Sequence, residues 1–153
     1  MDVHLLQEAA RRPAQAAAVL EQAIALREAI YRIFSAVAHK LPPEAADLDN
    51  LNAALSEALS RSQIIPAADG FAWDWSGDGA LDQMLWPIAR SAADLLTSEE
   101  IHRIGECADD RGCGWLFLDM SRNHSRRWCD MKDCGNRAKA SRHYQRQRVA
   151  DLL

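Results

Sequence analysis

The stretch that decides the fold of this chain is CADDRGCGWLFLDMSRNHSRRWCDMKDC, residues 107–134. It contains all four cysteines of the sequence, in the spacing C-x5-C, fifteen residues, then C-x4-C. Two close pairs on short knuckles, joined by a strand-length spacer, can bring four thiolates to one tetrahedral centre, which is the geometry that zinc favours. The spacing therefore predicts one structural zinc ion, held by Cys107, Cys113, Cys129 and Cys134. Such a shell leaves no position for a substrate.

Other uses of four cysteines can be weighed against the surrounding sequence. Disulfides would suit a small secreted protein, but the first residues run into a polar helical pattern without the apolar region of a signal peptide. A redox dithiol would normally show C-x-x-C, which this sequence lacks, and inert buried thiols would not need to cluster in pairs. We therefore expect zinc and a cytoplasmic protein with reduced cysteines. Three histidines could each replace a cysteine as a ligand: His102, His124 and His143.

Length and composition are those of a globular protein with one domain and a small module. The 153 residues are 48% hydrophobic and 26% charged. No apolar run approaches the roughly 18 to 20 residues of a membrane span, so we expect no membrane contact. No phosphate-binding glycine loop, nucleophile elbow or pair of catalytic carboxylates occurs. Together with the closed metal shell, this absence predicts that the protein is not an enzyme.

Charge is unevenly distributed along the sequence. Residues 1–121 carry nine Lys/Arg against nineteen Asp/Glu, a balance of −10, whereas residues 122–148 carry nine against two, a balance of +7. Counted from Cys107 to Arg148 the balance is +5, and four thiolates with one zinc dication add about −2, so the module stands near +3 and the basic patch is moderate. An acidic body with a basic end indicates contact with nucleic acid or with another polyanion.

Ahead of the cysteines, the sequence has the pattern of a mainly helical domain. Helices are expected over 4–11, 14–39, 44–60 and 81–96, from helical composition or from apolar residues at intervals of three and four. Pro87 should either kink the last of these helices or lie in its first turn. The apolar stripe expected on the longest helix comprises Leu20, Ile24, Ile30, Ile33, Phe34 and Val37.

A β-hairpin is expected between the third and fourth helices. Residues 63–65 and 71–75 flank a Gly-containing turn, AADG at 67–70. Alternation along the second strand places three aromatic residues on one face, which we expect to lie in the core: Phe71, Trp73 and Trp75.

The zinc module has its own predicted elements. A helix start is expected at Ser98, a strand over 114–119, and a polar helix from Gly135 to Arg148. A glycine directly after a ligating cysteine, such as Gly135, should let the chain turn tightly around the metal. Asp119 is expected to accept hydrogen bonds from the following turn or to pair with an arginine. Trp115 and Trp128 could stack on bases, but we expect them to form a small core around the metal.

The run CGWLFLDMSRNHSRRWCDMKDCGNRAKASRHYQRQR closely resembles the CGNR zinc-finger family, named for the tetrapeptide at Cys134 to Arg137. The resemblance covers residues 103–148 and implies that the four cysteines are the metal ligands. Residues 1–102 are similar to the helical domain called ABATE, which precedes this finger. Members of the family are described as stress-related transcription regulators of bacteria, for which DNA binding is inferred.

The expected fold is therefore α+β, mainly α. A helical ABATE-like domain with a small hairpin spans 1–102, a four-cysteine finger with a C-terminal helix spans 103–148, and a tail spans 149–153. Proteins of this family usually begin with a further segment, containing a strand-like stretch and an Asn-Thr pair, which these residues do not show. We expect the ABATE-like domain to lack that segment.

The final helix carries the predicted contact with nucleic acid. Lys139, Arg142 and Arg146 follow i, i+3, i+7 and share one helix face, which could lie along a phosphate backbone. Zinc would order the knuckles, which then present basic residues to DNA, or with lower expectation to RNA. The full predicted set is Arg122, Arg126, Arg127, Arg137, Lys139, Arg142 and Arg146.

Two alternatives remain open from the residues alone. The finger could be a protein-interaction or dimerisation module with a structural zinc, whose basic face docks an acidic surface, including that of a second copy. The helical domain could also sense a small molecule at a pocket near Trp73, Trp75 and Trp86.

Overall fold

The computed structural model describes residues 3–75, 79–109 and 111–150, which form five α-helices and two small antiparallel sheets. The helices are α1 (Val3–Arg11), α2 (Pro13–Ala38), α3 (Ala45–Ser60), α4 (Leu85–Leu96) and α5 (Asn136–Ala150). The strands are β1 (Ser62–Ala67), β2 (Gly70–Trp75), β3 (Ile104–Glu106) and β4 (Leu116–Leu118). This confirms the predicted α+β, mainly α fold. Within the described ranges, no helix combines the length and apolar character needed to cross a membrane.

Contacts between Cα atoms divide the chain into two compact units. The first comprises residues 1–33 and 43–98, and the second comprises residues 34–42 and 99–153. Each unit is described by itself below.

The core of the first unit contains small residues as well as large ones. Alanines are fully or almost fully buried on α2, α3 and α4, where a small side chain lets helix backbones approach closely. The expected stripe on α2 is wrong in part, since Leu20 is 61% and Ile24 45% exposed. The buried apolar residues of this unit are Leu26, Ala29, Ile33, Leu51, Ala58, Leu81, Trp86, Ala89 and Ala92.

Helix α4 begins at Leu85, four residues later than expected. Leu81 is buried in the irregular turns that precede it, where the Leu85 N–H donates to the Asp82 carbonyl at 2.8 Å. Pro87 is the third residue of the helix. It therefore lies in the first turn, where its missing N–H costs no intrahelical hydrogen bond. This confirms one of the two expectations for Pro87.

The predicted hairpin is present, but its aromatic face is not in the core. β1 pairs with β2 through a two-residue connection between Ala67 and Gly70, and Gly70 has a φ of 135°. Phe71 is 79% and Trp73 46% exposed, and Trp75 is half-buried. Alternation placed these residues on one face, but a hairpin of only two strands leaves much of that face uncovered.

A bidentate ion pair joins α2 to the first turn of α3. The Arg32 guanidinium donates from Nη2 to Asp47 Oδ1 at 2.6 Å and from Nε to Oδ2 at 2.9 Å. Asp47 is buried, and the hydrogen bond from Arg32 holds the pKa of its carboxyl below the usual range. The pair links two helices at a point where the aspartate also lies near the positive end of the α3 dipole.

The second unit is organised around the antiparallel pair β3 and β4. β4 was predicted within 114–119, but its partner β3 was not. A 3₁₀ turn, Glu99–Arg103, stands where a helix start was expected, and β3 follows it directly. Within this unit, Ser35 Oγ at the end of α2 donates to Glu106 Oε2 at 2.6 Å, which ties β3 to that end.

Candidate metal centre and basic helix

The first pair of cysteines lies at the end of the β3–β4 sheet. The Cys107 N–H donates to the Trp115 carbonyl at 3.0 Å, which extends the strand pairing beyond β3. Cys113 lies between two glycines with positive φ, Gly112 at 80° and Gly114 at 60°. Glycine adopts this conformation without strain, so the chain can reverse around Cys113.

The second pair is positioned by a π-helical turn, Met131–Gly135, that leads directly into α5. The Asp130 carboxylate precedes this turn and accepts from two of its backbone N–H groups, at 2.6 and 3.3 Å. Gly114, directly after Cys113, has the positive φ that suits a tight turn, whereas Gly135 completes its turn without one, and its N–H donates to the Asp130 carbonyl at 2.9 Å. Gly135 is buried, and a Cβ at this position would lie 2.9 Å from Sδ of Met131. A larger residue at this position would therefore have to displace the flexible end of the Met131 side chain.

The four sulfur atoms lie together between the two knuckles. All four Sγ atoms are within 4.8 Å of one another, with Cys113 3.7 Å from Cys129 and Cys129 3.6 Å from Cys134. A tetrahedron with Zn–S bonds of about 2.3 Å has edges of about 3.8 Å, so the donor set fits zinc. All four cysteines are free, and their separations exceed the roughly 2 Å of a disulfide, so the disulfide alternative is wrong. In the described part of the chain, no histidine joins this cluster.

The thiols of the cluster differ in acidity. Burial raises the pKa of the Cys134 thiol to about 12, and the neighbouring Cys129 adds to the rise. Burial also raises the pKa of Cys129. At Cys107, burial is outweighed by backbone hydrogen bonds from Cys129 and Asp109, and the pKa is lowered. Because zinc binds thiolates, loading the centre must release protons from buried thiols, and metal affinity should fall as the pH falls.

Asp109 and Arg137 form an ion pair against one of the sulfurs. The Asp109 side chain is only 3% exposed, and its Oδ2 accepts from Arg137 Nη2 at 2.9 Å. The same nitrogen lies 2.8 Å from Cys134 Sγ, to which it donates. Arg137 was predicted to contact nucleic acid; its side chain is 47% exposed, and its guanidinium also contacts the sulfur cluster. On the other side of the carboxylate, Arg111 Nε lies 3.6 Å from Oδ1.

Asp119 closes the loop between β4 and the second knuckle. Its buried carboxylate accepts from the Ser121 N–H at 2.8 Å and from the Arg126 N–H at 2.9 Å. The hydrogen bonds from Ser121 are the main cause that holds the pKa of Asp119 below its usual range. This confirms the expectation that Asp119 accepts from the following turn. The alternative of an ion pair with an arginine side chain is not seen at this carboxylate among the described residues.

Three arginines lie around Trp128 and differ in what they contact. Arg126 donates from Nε to the Trp128 carbonyl at 2.9 Å and from Nη2 to the Cys129 carbonyl, so it supports the second knuckle. Trp128 is half-buried, with the Arg127 guanidinium 5.3 Å and the Arg142 guanidinium 5.9 Å from its ring centroid. Trp115 is 69% exposed, so the expected core role is wrong for this residue.

The basic face of α5 is open to solvent. The helix contains five Lys/Arg and no Asp/Glu. Lys139, Arg142 and Arg146 are all exposed, and the helical rise spreads them over about 10 Å. Arg122 is also exposed, in the turn that follows Asp119. All seven predicted residues are exposed, but Arg126 and Arg137 also donate hydrogen bonds to groups of the two metal knuckles. The predicted residues without such a contact to the knuckles are Arg122, Arg127, Lys139, Arg142 and Arg146.

Sequence reasoning missed Asp109 as part of the site. Its partner Arg137 is 28 positions away, so no local periodicity links the two. A usable signal did exist, because Asp109 lies two positions after a ligating cysteine and adds negative charge beside a thiolate cluster. Such a residue needs a cation nearby, and the tetrapeptide that contains Cys134 supplies one.

Comparison with protein families supplies the identity of the two parts. Residues 3–99 match the ABATE family, described as "Putative stress-induced transcription regulator", and residues 103–147 match the CGNR zinc finger. A comparison with curated proteins found no match. The close cluster of four cysteines within the finger is consistent with one structural zinc ion. The chain therefore belongs to the ABATE family and carries a CGNR zinc finger.

Proposed function

We propose that the protein is a nucleic-acid-binding transcription regulator whose α5 helix contacts phosphates. DNA is the partner that we favour, and RNA is the second candidate. The metal centre has a structural role in this proposal, and the protein is not an enzyme. It acts in the cytoplasm, where its thiols stay reduced.

The observation that carries the proposal is the exposed row Lys139, Arg142 and Arg146. The three residues lie within about 60° around the helix axis and over about 10 Å along it, so they can face a nucleic-acid backbone together. The helix has no acidic residue that could neutralise them internally. Since α5 follows the turn that carries Cys134 without a linker, the metal centre sets the direction of this row.

Zinc-loaded protein should bind mixed duplex DNA with an affinity that falls steeply as salt rises. Three phosphate contacts contribute a slope of about −2.7 in log K against log salt, or roughly 40-fold between 50 and 200 mM. The variant Lys139→Gln/Arg142→Gln/Arg146→Gln should lose that part of the slope for all sequences alike. The matched control is Arg11→Gln/Arg27→Gln/Lys40→Gln, which removes the same charge from exposed positions outside the finger.

An equal loss of slope in both triple variants would show a net-charge effect and count against contact by α5. Absence of binding at low salt, to duplex and to single strands, would refute the proposal. The basic face would then be assigned to protein contacts, and sedimentation across a salt series would test for a dimer.

A further inference from the structure

We infer that Arg137, the last residue of the CGNR tetrapeptide, helps the four cysteines to retain their metal. We also infer that Asp109 positions the Arg137 guanidinium against the cluster. The same Nη2 atom donates to Cys134 Sγ at 2.8 Å and to Asp109 Oδ2 at 2.9 Å. The guanidinium therefore bridges a sulfur ligand and a buried carboxylate. This assignment gives Arg137, which was predicted to contact nucleic acid, a role in retaining zinc.

Charge explains why the cluster needs this arginine. Four thiolates and one zinc dication carry about −2, and the buried Asp109 carboxylate makes the local total about −3. Arg137 and Arg111 return it to about −1. Without Arg137, an almost fully buried carboxylate would face the thiolates with only an exposed cation, Arg111, 3.6 Å away on its other side. The repulsion between this carboxylate and the thiolates would then weaken the hold of the cluster on its metal.

Geometry explains why the carboxylate is present although it adds negative charge. A long, flexible arginine loses conformational freedom when it is held against one sulfur atom. Asp109 restricts that freedom with a hydrogen bond, and its own backbone is fixed because its carbonyl accepts from the Gly112 N–H at 3.0 Å. The Asp109 side chain thus acts on the centre by positioning Arg137, while the Asp109 backbone hydrogen-bonds to Cys107 directly. Groups that orient metal ligands in this way typically change metal affinity about 10- to 100-fold when they are removed.

The test measures transfer of zinc from the full-length, zinc-loaded chain to a chromogenic chelator. Arg137→Gln should lower zinc affinity about 10- to 100-fold and speed transfer correspondingly. Asp109→Asn should have a smaller effect of the same sign, because the arginine keeps its charge but loses its anchor. Asp109→Asn/Arg137→Gln should lose less than the two single changes combined, since it removes the unpaired carboxylate together with the cation. The control is Arg148→Gln, an exposed arginine on the same helix, which should transfer zinc like the wild type.

A second readout follows the thiols directly. Alkylation of the zinc-loaded protein, mapped by mass spectrometry, should modify Cys134 faster in Arg137→Gln than in the wild type or in Arg148→Gln. Circular dichroism at saturating zinc shows whether each variant folds. If Arg137→Gln does not fold, Asp109→Asn decides the question by the same two measurements.

The inference would be overturned if Arg137→Gln transferred zinc at the wild-type rate and its Cys134 were alkylated at the wild-type rate. A salt slope of DNA binding that falls by about one, with zinc retention unchanged, would return Arg137 to the phosphate surface. Neither metal measurement involves nucleic acid, so the inference can hold even if the proposed DNA binding fails.

Discussion

Removal of zinc should unfold the second unit and leave the first unit folded. Among the described residues of the second unit, Phe34 near the end of α2 and the two buried cysteines are the only apolar side chains that are buried. The first unit has a core of nine buried apolar residues, none of which belongs to the finger. Zinc binding contributes about 10–16 kcal/mol to folding in isolated fingers, which is as large as the whole stability of many domains. The second unit has no other source of that size.

The size of the effect can be calculated from the helices. The five α-helices contain 9, 26, 16, 12 and 15 residues, which is 78 in the described part of the chain. Only α5, with 15 residues, belongs entirely to the second unit, and an isolated helix of that length is marginal in water. The helical circular dichroism signal at 222 nm should therefore fall by about a fifth when the metal is removed.

The assay combines a chelator titration, followed by circular dichroism, with hydrogen exchange read by mass spectrometry. Amides of β3, β4 and α5 should lose protection on chelation, those of α3 and α4 should keep it, and added zinc should restore the first group. Loss of more than half the helical signal would show that the first unit depends on the metal. An unchanged signal, with zinc removal verified by elemental analysis, would refute the reasoning about the missing core.

Of three further predictions, two concern packing and one concerns an ion pair. Gly105→Ala should destabilise the second unit by about 1–3 kcal/mol in urea unfolding, because its Cβ would lie 2.8 Å from the Phe117 ring. Ile33→Ala, at a fully buried site, should cost about 2–5 kcal/mol and lower the thermal midpoint by several degrees. The pKa of Asp47 is lowered mainly by its hydrogen bond from Arg32, so this stabilisation is complete above about pH 4 and is lost as pH falls through the lowered pKa. Asp47→Asn should thus be less stable than wild type at pH 7, and the difference should narrow in acid.

Each of these predictions has its own control. Gly135→Ala also meets a close contact, but the neighbour is the flexible end of Met131, so it should cost less than Gly105→Ala. Ile33→Val should cost about 0.5–1.5 kcal/mol, and a cost equal to that of alanine would contradict the cavity argument. A gap between Asp47→Asn and wild type that stays constant down to pH 2 would show that the Arg32 ion pair is not its source.

The cysteine cluster could be predicted because metal ligation depends on side-chain chemistry and spacing that are visible in the sequence. Cys107, Cys113, Cys129 and Cys134 are the only residues of their type, and two short knuckles can bring them together in few ways. The hairpin was equally accessible, since a Gly-containing turn separates two β-rich runs. In both cases the residues that determine the feature lie within one short stretch of the sequence.

Features that depend on distant partners could not be predicted in the same way. β3 has only three residues, Ile-Gly-Glu, and no periodicity is visible over that length. The burial of Ala29 and the exposure of Leu20 depend on which helix packs against α2, which the sequence of α2 alone does not specify. The contact of Arg137 with the sulfur cluster involves Asp109, 28 positions earlier, so the charge of Arg137 alone could not predict it.

Because α5 follows the metal turn directly, a small change in the direction of its first residues displaces its far end by a larger distance. Asn136 Nδ2 donates to the Lys132 carbonyl at 2.9 Å, so the first residue of α5 is bonded back to the turn that carries Cys134. A helix of 15 residues is about 22 Å long, and a tilt of about 10° at its base moves its far end by about 4 Å. A small change in the size of the bound ion would therefore displace the far end of α5 more than its base. Replacing zinc by a larger thiophilic ion should therefore change where Arg146 points more than where Lys139 points.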